Sequence, residues 1–94
     1  MKVELTESLI ADLEAGPKDL VVWDTLVPGL HVKVTPAGRK TFSLFYREDG
    51  RIRRPKLADV GQITLAEARQ KAQETLARLA EAKRKAARKK LGLE

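Results

Sequence analysis

Two consecutive stretches near the middle of the chain alternate apolar and polar residues. They cover residues 30–35 and 41–47. A period of two is typical of a strand that buries one of its faces, so both stretches are predicted to be strands. The residues that should face inward on them are Leu30, Val32, Val34, Phe42, Leu44 and Tyr46.

Asp49 and Gly50 follow the second stretch and predict a tight reversal of the chain. Both central positions of a type I′ turn need a positive φ angle, which Asp and Gly tolerate well. A third strand over residues 51–57 should therefore run back along the second, in a register that pairs Phe42 with Leu57. The three strands together make an antiparallel sheet.

Pro55 and Gly38 predict where the third strand lies in this sheet and how the first two strands are joined. Pro55 has no backbone N–H to donate, so the third strand should lie at an edge, with Pro55 and Leu57 pointing inward. The first two strands keep their apolar residues on one face if a three-residue loop, residues 37–39, joins them. Gly38 then takes the left-handed conformation.

Signals for helices lie on either side of the sheet. Thr6 is suited to cap a short helix that residues 16–17 end, and residues 20–24 are apolar and β-branched enough for a short strand. Thr64 and Glu67 form the capping box of a long amphipathic helix. The predicted fold is α+β: a short N-terminal helix and strand, and a three-stranded antiparallel sheet packed on a long C-terminal helix.

Basic residues are concentrated in two blocks. Residues 33–56 contain eight basic and two acidic residues, and residues 83–94 contain six basic and one acidic residue. Clustered positive charge favours a polyanionic partner, most simply a nucleic acid. The alternative is a solvated surface rich in lysine and arginine and, for the second block, a solvated helix end.

The outward side chains of the predicted sheet combine cations with a hydroxyl group and an aromatic ring. Lys and Arg can read guanine edges or hold phosphates, and a phenyl ring can contact a thymine methyl group. A small sheet with such a face fits the major groove of duplex DNA. The alternative is a solvated sheet face with one stray aromatic ring. The residues predicted to bind DNA are Lys33, Arg39, Lys40, Ser43, Phe45, Arg47, Arg51, Arg54 and Lys56, with Arg39, Lys40 and Arg51 mainly on phosphates.

The other side chains predict no catalytic or ligand site. The chain has no cysteine and a single histidine, His31, interpreted as a surface strand residue because no nucleophile or carboxylate pair accompanies it. Trp23 and Tyr46 are predicted to be core residues. No enzyme activity, metal, cofactor or small-molecule substrate is expected. With neither a signal peptide nor an apolar run that could span a membrane, the expected location is the cytoplasm.

Several short motifs occur in an order that resembles a known family. The motifs are Val22-Trp23-Asp24-Thr25, Val27-Pro28-Gly29-Leu30, Tyr46-Arg47 and Thr64-Leu65-Ala66-Glu67-Ala68-Arg69. Each is weak alone, but in this order they resemble the N-terminal arm-type DNA-binding domain of prophage and genomic-island tyrosine integrases. The resemblance covers residues 3–82, although residues 57–61 depart from the family's usual pattern of Leu-Gly, an aromatic residue and proline.

The resemblance implies a sheet that enters the major groove of arm-type sites, within a phage-type integrase that acts in DNA integration and site-specific recombination. Its partners would be duplex DNA, other integrase protomers and DNA-bending accessory proteins on the bacterial nucleoid. Residues 1–82 would form the arm-type domain, and residues 83–94 a basic helical extension toward a core-binding domain that this chain lacks. Tyr46 matches a strand tyrosine of the family, so the recombinase tyrosine has no counterpart and this chain should not cleave DNA.

Two alternative functions stay open from the sequence. The sheet face could contact a neighbouring integrase protomer, as a protein-interaction module for integrase assembly. A basic sheet with an exposed phenyl ring is also adequate for structured RNA. Self-association without DNA would favour the first alternative, and stronger binding to RNA than to duplex DNA would favour the second.

Overall fold

The computed structural model describes residues 1–90 and 92, with the side chains of residues 87–90 outside the description. Within this range the chain forms seven strands and two helices in an α+β arrangement, which confirms the predicted class. The elements are β1 (Lys2–Val3), α1 (Glu7–Asp12), β2 (Leu20–Asp24), β3 (Leu30–Val34), β4 (Lys40–Leu44), β5 (Tyr46–Glu48), β6 (Arg51–Arg53), β7 (Lys56–Asp59) and α2 (Leu65–Lys90).

The main sheet is larger than the sequence predicted. It has five strands in the order β1-β2-β3-β4-β7, and β1 runs parallel to β2 while the other pairs are antiparallel. The prediction of a three-stranded antiparallel sheet is therefore incomplete, because β2 joins it with Leu20 opposite Val34 and Trp23 opposite His31. β7 lies at the edge, as Pro55 predicted.

The long predicted hairpin is divided in two. Near the Asp49-Gly50 turn, β5 and β6 keep the predicted register but form a separate two-stranded ladder. Between β4 and β7 the register shifts at Phe42, which pairs with Ala58, so the predicted pairing with Leu57 is wrong. An extra residue on one strand is a β-bulge, which bends the strand and increases its twist.

Residues 54 and 55 connect the two ladders. Pro55 is exposed, so the prediction that it points inward is wrong. Its carbonyl oxygen accepts a hydrogen bond from the Leu44 backbone N–H at 3.0 Å, which keeps the strands together where the ladders part.

The loop between β3 and β4 lies one position earlier than predicted, which shifts the pairing of the two strands by two positions. Val34 pairs with Lys40, and the Thr35 N–H donates to the Arg39 carbonyl at 2.9 Å, so the loop spans residues 36–38. Because an even shift leaves every side chain on its predicted face, the inward residues still point inward. Gly38 has φ +90°, the left-handed conformation predicted for it.

Gly29 lies at a close approach between two backbone segments. Its φ angle is +86°, and a Cβ atom at this position would collide with the carbonyl oxygen of Phe45. The Phe45 N–H donates to the Gly29 carbonyl at 2.9 Å. A glycine is therefore required both for its backbone conformation and for the space it leaves.

The core lies between the inward face of the main sheet and the two helices. Thr64 and Glu67 form the predicted capping box, with the Glu67 N–H donating to Thr64 Oγ1 at 3.1 Å and the Thr64 N–H to Glu67 Oε1 at 3.0 Å. Thr6 Oγ1 accepts from the Leu9 N–H and caps α1 as predicted. The buried apolar residues are Leu5, Ile10, Val22, Val27, Leu30, Val32, Val34, Phe42, Leu44, Leu65, Ala68 and Ala72.

An ion pair that the sequence did not predict lies at the edge of this core. Asp24 is 1% exposed, and its carboxylate accepts hydrogen bonds from Arg69 Nε at 3.0 Å and Nη2 at 3.1 Å. The same carboxylate accepts from the backbone N–H groups of Leu5 and Val27. Burial raises the pKa of Asp24, but these hydrogen bonds outweigh it, so the pKa lies below its ordinary value. Arg69 thereby ties α2 to β2 and to the N-terminal segment.

Candidate nucleic-acid interface

Both helices contribute to the core on the inward face of the main sheet. The opposite, outward face is formed by the alternate side chains of β2, β3, β4 and β7. Strand register places these side chains in two rows that cross all four strands. One row is Trp23, His31, Ser43 and Lys56, and the neighbouring row is Val21, Lys33, Thr41 and Asp59.

Three aromatic rings, Trp23, His31 and Phe45, form a cluster on the outward face. The Trp23 and His31 ring centroids are 4.5 Å apart, and the Phe45 ring meets Trp23 edge-on at 5.9 Å. The guanidinium carbon of Arg54 lies 5.4 Å from the Phe45 centroid, within the range of a cation–π contact. We call Trp23, His31 and Phe45 the aromatic cluster.

The aromatic cluster corrects two predictions. Trp23 is half-buried on the outward face and does not belong to the core. His31 faces outward as a strand residue, but it is only 6% exposed, because Trp23 covers its ring. Tyr46 is half-buried and packs against the core, as predicted. The prediction for Trp23 failed because β2 was not expected to pair with β3. This pairing puts Trp23 directly opposite His31.

His31 is held in one orientation and without charge. Its Nδ1 lies 3.0 Å from the Gly29 carbonyl oxygen, so the proton on Nδ1 is donated to that oxygen. Burial lowers the pKa of His31, and the positive charges of Arg54 and Lys33 lower it further, against the opposing effect of the Gly29 hydrogen bond. The neutral imidazole acts as an apolar support beneath the Trp23 ring.

A shallow cavity of about 300 Å³ opens beside the aromatic cluster. Four of the predicted DNA-binding residues line it, together with Trp23 and His31. The four are Lys33, Ser43, Phe45 and Arg54. The pairing of the strands therefore brings four of the nine predicted DNA-binding residues together around one concave site.

Two cations of the predicted set share one carboxylate. Arg39 donates to Asp59 from Nε and Nη2, both at 3.2 Å, and Lys56 Nζ lies 2.8 Å from the same carboxylate. The hydrogen bonds from Arg39 and then Lys56 lower the pKa of Asp59, and the pKa of Arg39 is raised in return. These pairs are exposed to water, so they are weak and either cation can exchange Asp59 for a phosphate.

Lys33 and Lys40 have different surroundings. Lys33 Nζ lies 3.4 Å from Asp19, and both side chains are about half exposed. Lys40 sits opposite Val34 on the inward face, and its ammonium donates to the carbonyl oxygens of Ile10 and Ala11 at 2.8 and 3.0 Å. Lys40 therefore caps the end of α1, which no local sequence signal indicated.

Three exposed arginines extend the basic surface beyond the main sheet. Arg47, Arg51 and Arg54 make no ion pair with any residue that the structure describes. Arg47 and the turn after it border a groove of about 610 Å³, whose other wall is α2 around Lys83. Lys83 thus lies close to the β5–β6 hairpin, while the side chains of Arg88, Lys89 and Lys90 fall outside the described residues.

A sequence comparison shows the protein family of this chain. The model of the arm DNA-binding domain family matches residues 5–91. The chain belongs to this family. Arm DNA-binding domains are non-catalytic DNA-binding modules of phage integrases, so the resemblance seen in the motifs is confirmed and DNA is the partner of this domain. No curated protein matches the chain. No helix in the described part of this arm domain is long and apolar enough to cross a membrane.

Proposed function

We propose that the outward face of the main sheet enters the major groove of duplex DNA and binds some base sequences in preference to others. The observation that carries the proposal is the position of Arg54 beside a concave site on a sheet face that neither helix covers. Arg54 is exposed and has no ion pair among the residues that the structure describes. Arg is the side chain best suited to bind guanine O6 and N7 together. The major groove is about 12 Å wide and admits a two-stranded ribbon, so neighbouring strands of this wider face enter it and not the whole face at once.

Different residues of the interface have different roles in this proposal. Lys40 is left out, because α1 already holds its ammonium. Arg39 and Arg51, at the turns, contact phosphates. The residues assigned to base edges are Lys33, Ser43, Phe45, Arg54 and Lys56 on the outward face, and Arg47 on the β5–β6 hairpin. Ser43 is only 8% exposed, so its hydroxyl is reached only through the cavity that it lines.

The family supports a wider proposal for the whole assembly. The domain, residues 1–82, binds arm-type sites as part of a tyrosine integrase whose other domains cut DNA in integration and site-specific recombination. Other integrase protomers and DNA-bending accessory proteins bind alongside it on DNA in the bacterial cytoplasm. Residues 83–94 continue toward the core-binding domain, and α2 runs without a break from Leu65 across this boundary.

Selection from a random duplex DNA library at physiological salt tests the proposal. The expected result is a short shared motif among the retained sequences. Retention without a motif would contradict sequence preference, and stronger retention of an RNA competitor would favour the RNA alternative. With about five phosphates neutralised, log K should fall against log salt with a slope of roughly −4 to −5.

Arginine variants test the assignment of roles. Arg54→Ala and Arg47→Ala should each weaken binding to the recovered motif by about 1–3 kcal/mol and relax the preference at one position. Arg78→Ala is the matched control, because Arg78 is exposed on α2, which packs on the inward face. Equal losses on the motif and on a scrambled duplex would show that the two arginines do not read bases.

A further inference from the structure

The aromatic cluster makes an apolar patch within a basic face. Trp23 and His31 are neighbours in one outward row, and Phe45 contacts Trp23 at the end of β4. Burying an aromatic ring away from water is favourable, and here the burial is incomplete, since Trp23 and Phe45 are only half-buried. A partner that covers them gains free energy, so an apolar group of the partner is expected at this point.

Two cations border this patch. Lys33 and Arg54 line the same cavity, and Arg54 lies against the Phe45 ring. The one carboxylate among the described residues that line the cavity, Asp19, lies 3.4 Å from Lys33 Nζ, so Arg54 keeps its full charge at the patch. The patch therefore fits an apolar group that is itself surrounded by negative charge and hydrogen-bond acceptors. In the major groove, the 5-methyl group of thymine is such a group, because phosphates and the acceptors of neighbouring guanines lie around it. The methyl group of 5-methylcytosine occupies the corresponding place.

We propose that the cavity beside Trp23, Phe45 and Arg54 holds the 5-methyl group of a pyrimidine in the major groove. The domain then distinguishes thymine from uracil, and 5-methylcytosine from cytosine, by an apolar contact. This inference rests on the proposed function, since it requires the outward face to enter the major groove. Phe45 and Trp23 supply the contact, His31 positions the Trp23 ring, and Arg54 is directed by Phe45 toward the acceptor edge of a neighbouring guanine.

Uracil substitution provides the test, because it removes the methyl group and leaves every hydrogen-bonding group of the base in place. The selection is run with two duplex libraries, one synthesised with thymine and one with uracil. The thymine library should give a motif with at least one thymine position that the uracil library does not reproduce. Guanine positions should be recovered from both libraries.

Affinities for matched duplexes then measure the contact. A motif duplex with thymine at that position should bind about fourfold more tightly than the uracil duplex, the factor expected for burying one methyl group. Phe45→Ala should remove this difference. Ile52→Ala should keep it, because Ile52 is an exposed apolar residue, 50% accessible, that does not line the cavity. Fluorescence anisotropy of labelled duplexes gives the ratio of thymine-duplex to uracil-duplex affinity for the wild type and for each variant.

The outcomes separate this inference from the proposed function. The same motif with the same weights from both libraries would overturn methyl recognition and leave sequence-preferring binding in place. No motif from either library would overturn both. If Phe45→Ala does not fold, as judged by circular dichroism, the wild-type comparison decides: equal affinity for the thymine and uracil duplexes refutes the contact.

Discussion

Replacing Arg69 tests whether its ion pair with Asp24 holds the N-terminal segment, β2 and α2 together. Arg69→Met keeps most of the side-chain length and removes every donor. The Asp24 carboxylate would lose the hydrogen bonds at 3.0 and 3.1 Å and keep only those from the backbone N–H groups of Leu5 and Val27. The Leu5 carbonyl would also lose its bond from Arg69 Nη2 at 2.9 Å.

The cost of this change follows from the burial of the carboxylate. Removing one partner of a buried ion pair typically costs about 3–5 kcal/mol, because the other charge stays buried without compensation. The Asp24 side chain is 0% exposed and that of Arg69 23%, so we expect the lower end of the range, about 3 kcal/mol. A domain of this size has about 5–15 kcal/mol of stability in total. The loss should lower Tm by roughly 12–24 °C.

Urea denaturation followed by circular dichroism measures the loss, with Arg39→Met as the matched control. Arg39 makes an equally bidentate pair with Asp59, but its side chain is 63% exposed and water screens the pair, so the urea midpoint should hardly change. A loss for Arg69→Met that is no larger than the loss for Arg39→Met would refute the reasoning.

Acid provides an independent check on the same pair. The folded-state pKa of Asp24 is lowered from 3.8, so its contribution to stability is fully present above pH 3.8 and is lost as the pH falls through the folded-state pKa. The wild type should therefore lose more stability than Arg69→Met on acidification below pH 3.8. Equal losses in the two proteins would contradict this account.

Three further predictions follow from single positions. Gly29→Ala should cost more than about 2 kcal/mol, since the left-handed conformation alone costs about 1–2 kcal/mol and the Phe45 carbonyl adds a collision, whereas Gly38→Ala should show only the conformational cost in the same urea assay. Thr64→Ala should cost about 1 kcal/mol by loss of the helix cap, and an unchanged Tm would contradict that role. The pKa of His31 is lowered from 6.5, so urea midpoints of the wild type should fall as the pH drops below 6.5, while those of His31→Gln should stay level across this range.

Features that depend on neighbours in the chain could be predicted from the sequence. The capping box at Thr64 fixes the start of α2, and the Asp49-Gly50 turn fixes the pairing of β5 with β6. The alternation of apolar residues along β3 and β4 decides which side chains enter the core. In each case the chemistry lies within a few residues, so the local sequence is sufficient.

Features that depend on distant segments were missed. Nothing within residues 20–24 specifies that β2 pairs with β3, and without that pairing Trp23 is easily assigned to the core. The ammonium of Lys40 reaches α1, thirty positions away in sequence, to bind the Ile10 carbonyl, so a lysine in a basic block serves a helix end. A basic block in the sequence therefore predicts that a surface is positively charged better than it predicts the role of each cation in that block.

The position of Trp23 gives this domain a built-in optical probe. The 94-residue chain contains one tryptophan, so its entire indole emission comes from a single ring on the outward face. That ring contacts an imidazole and a phenyl group and is half-buried. Unfolding transfers the indole to water, whereas a ligand docked on the outward face shields it, so the two events shift the emission maximum in opposite directions. An unlabelled titration can therefore distinguish occupation of this face from loss of the fold.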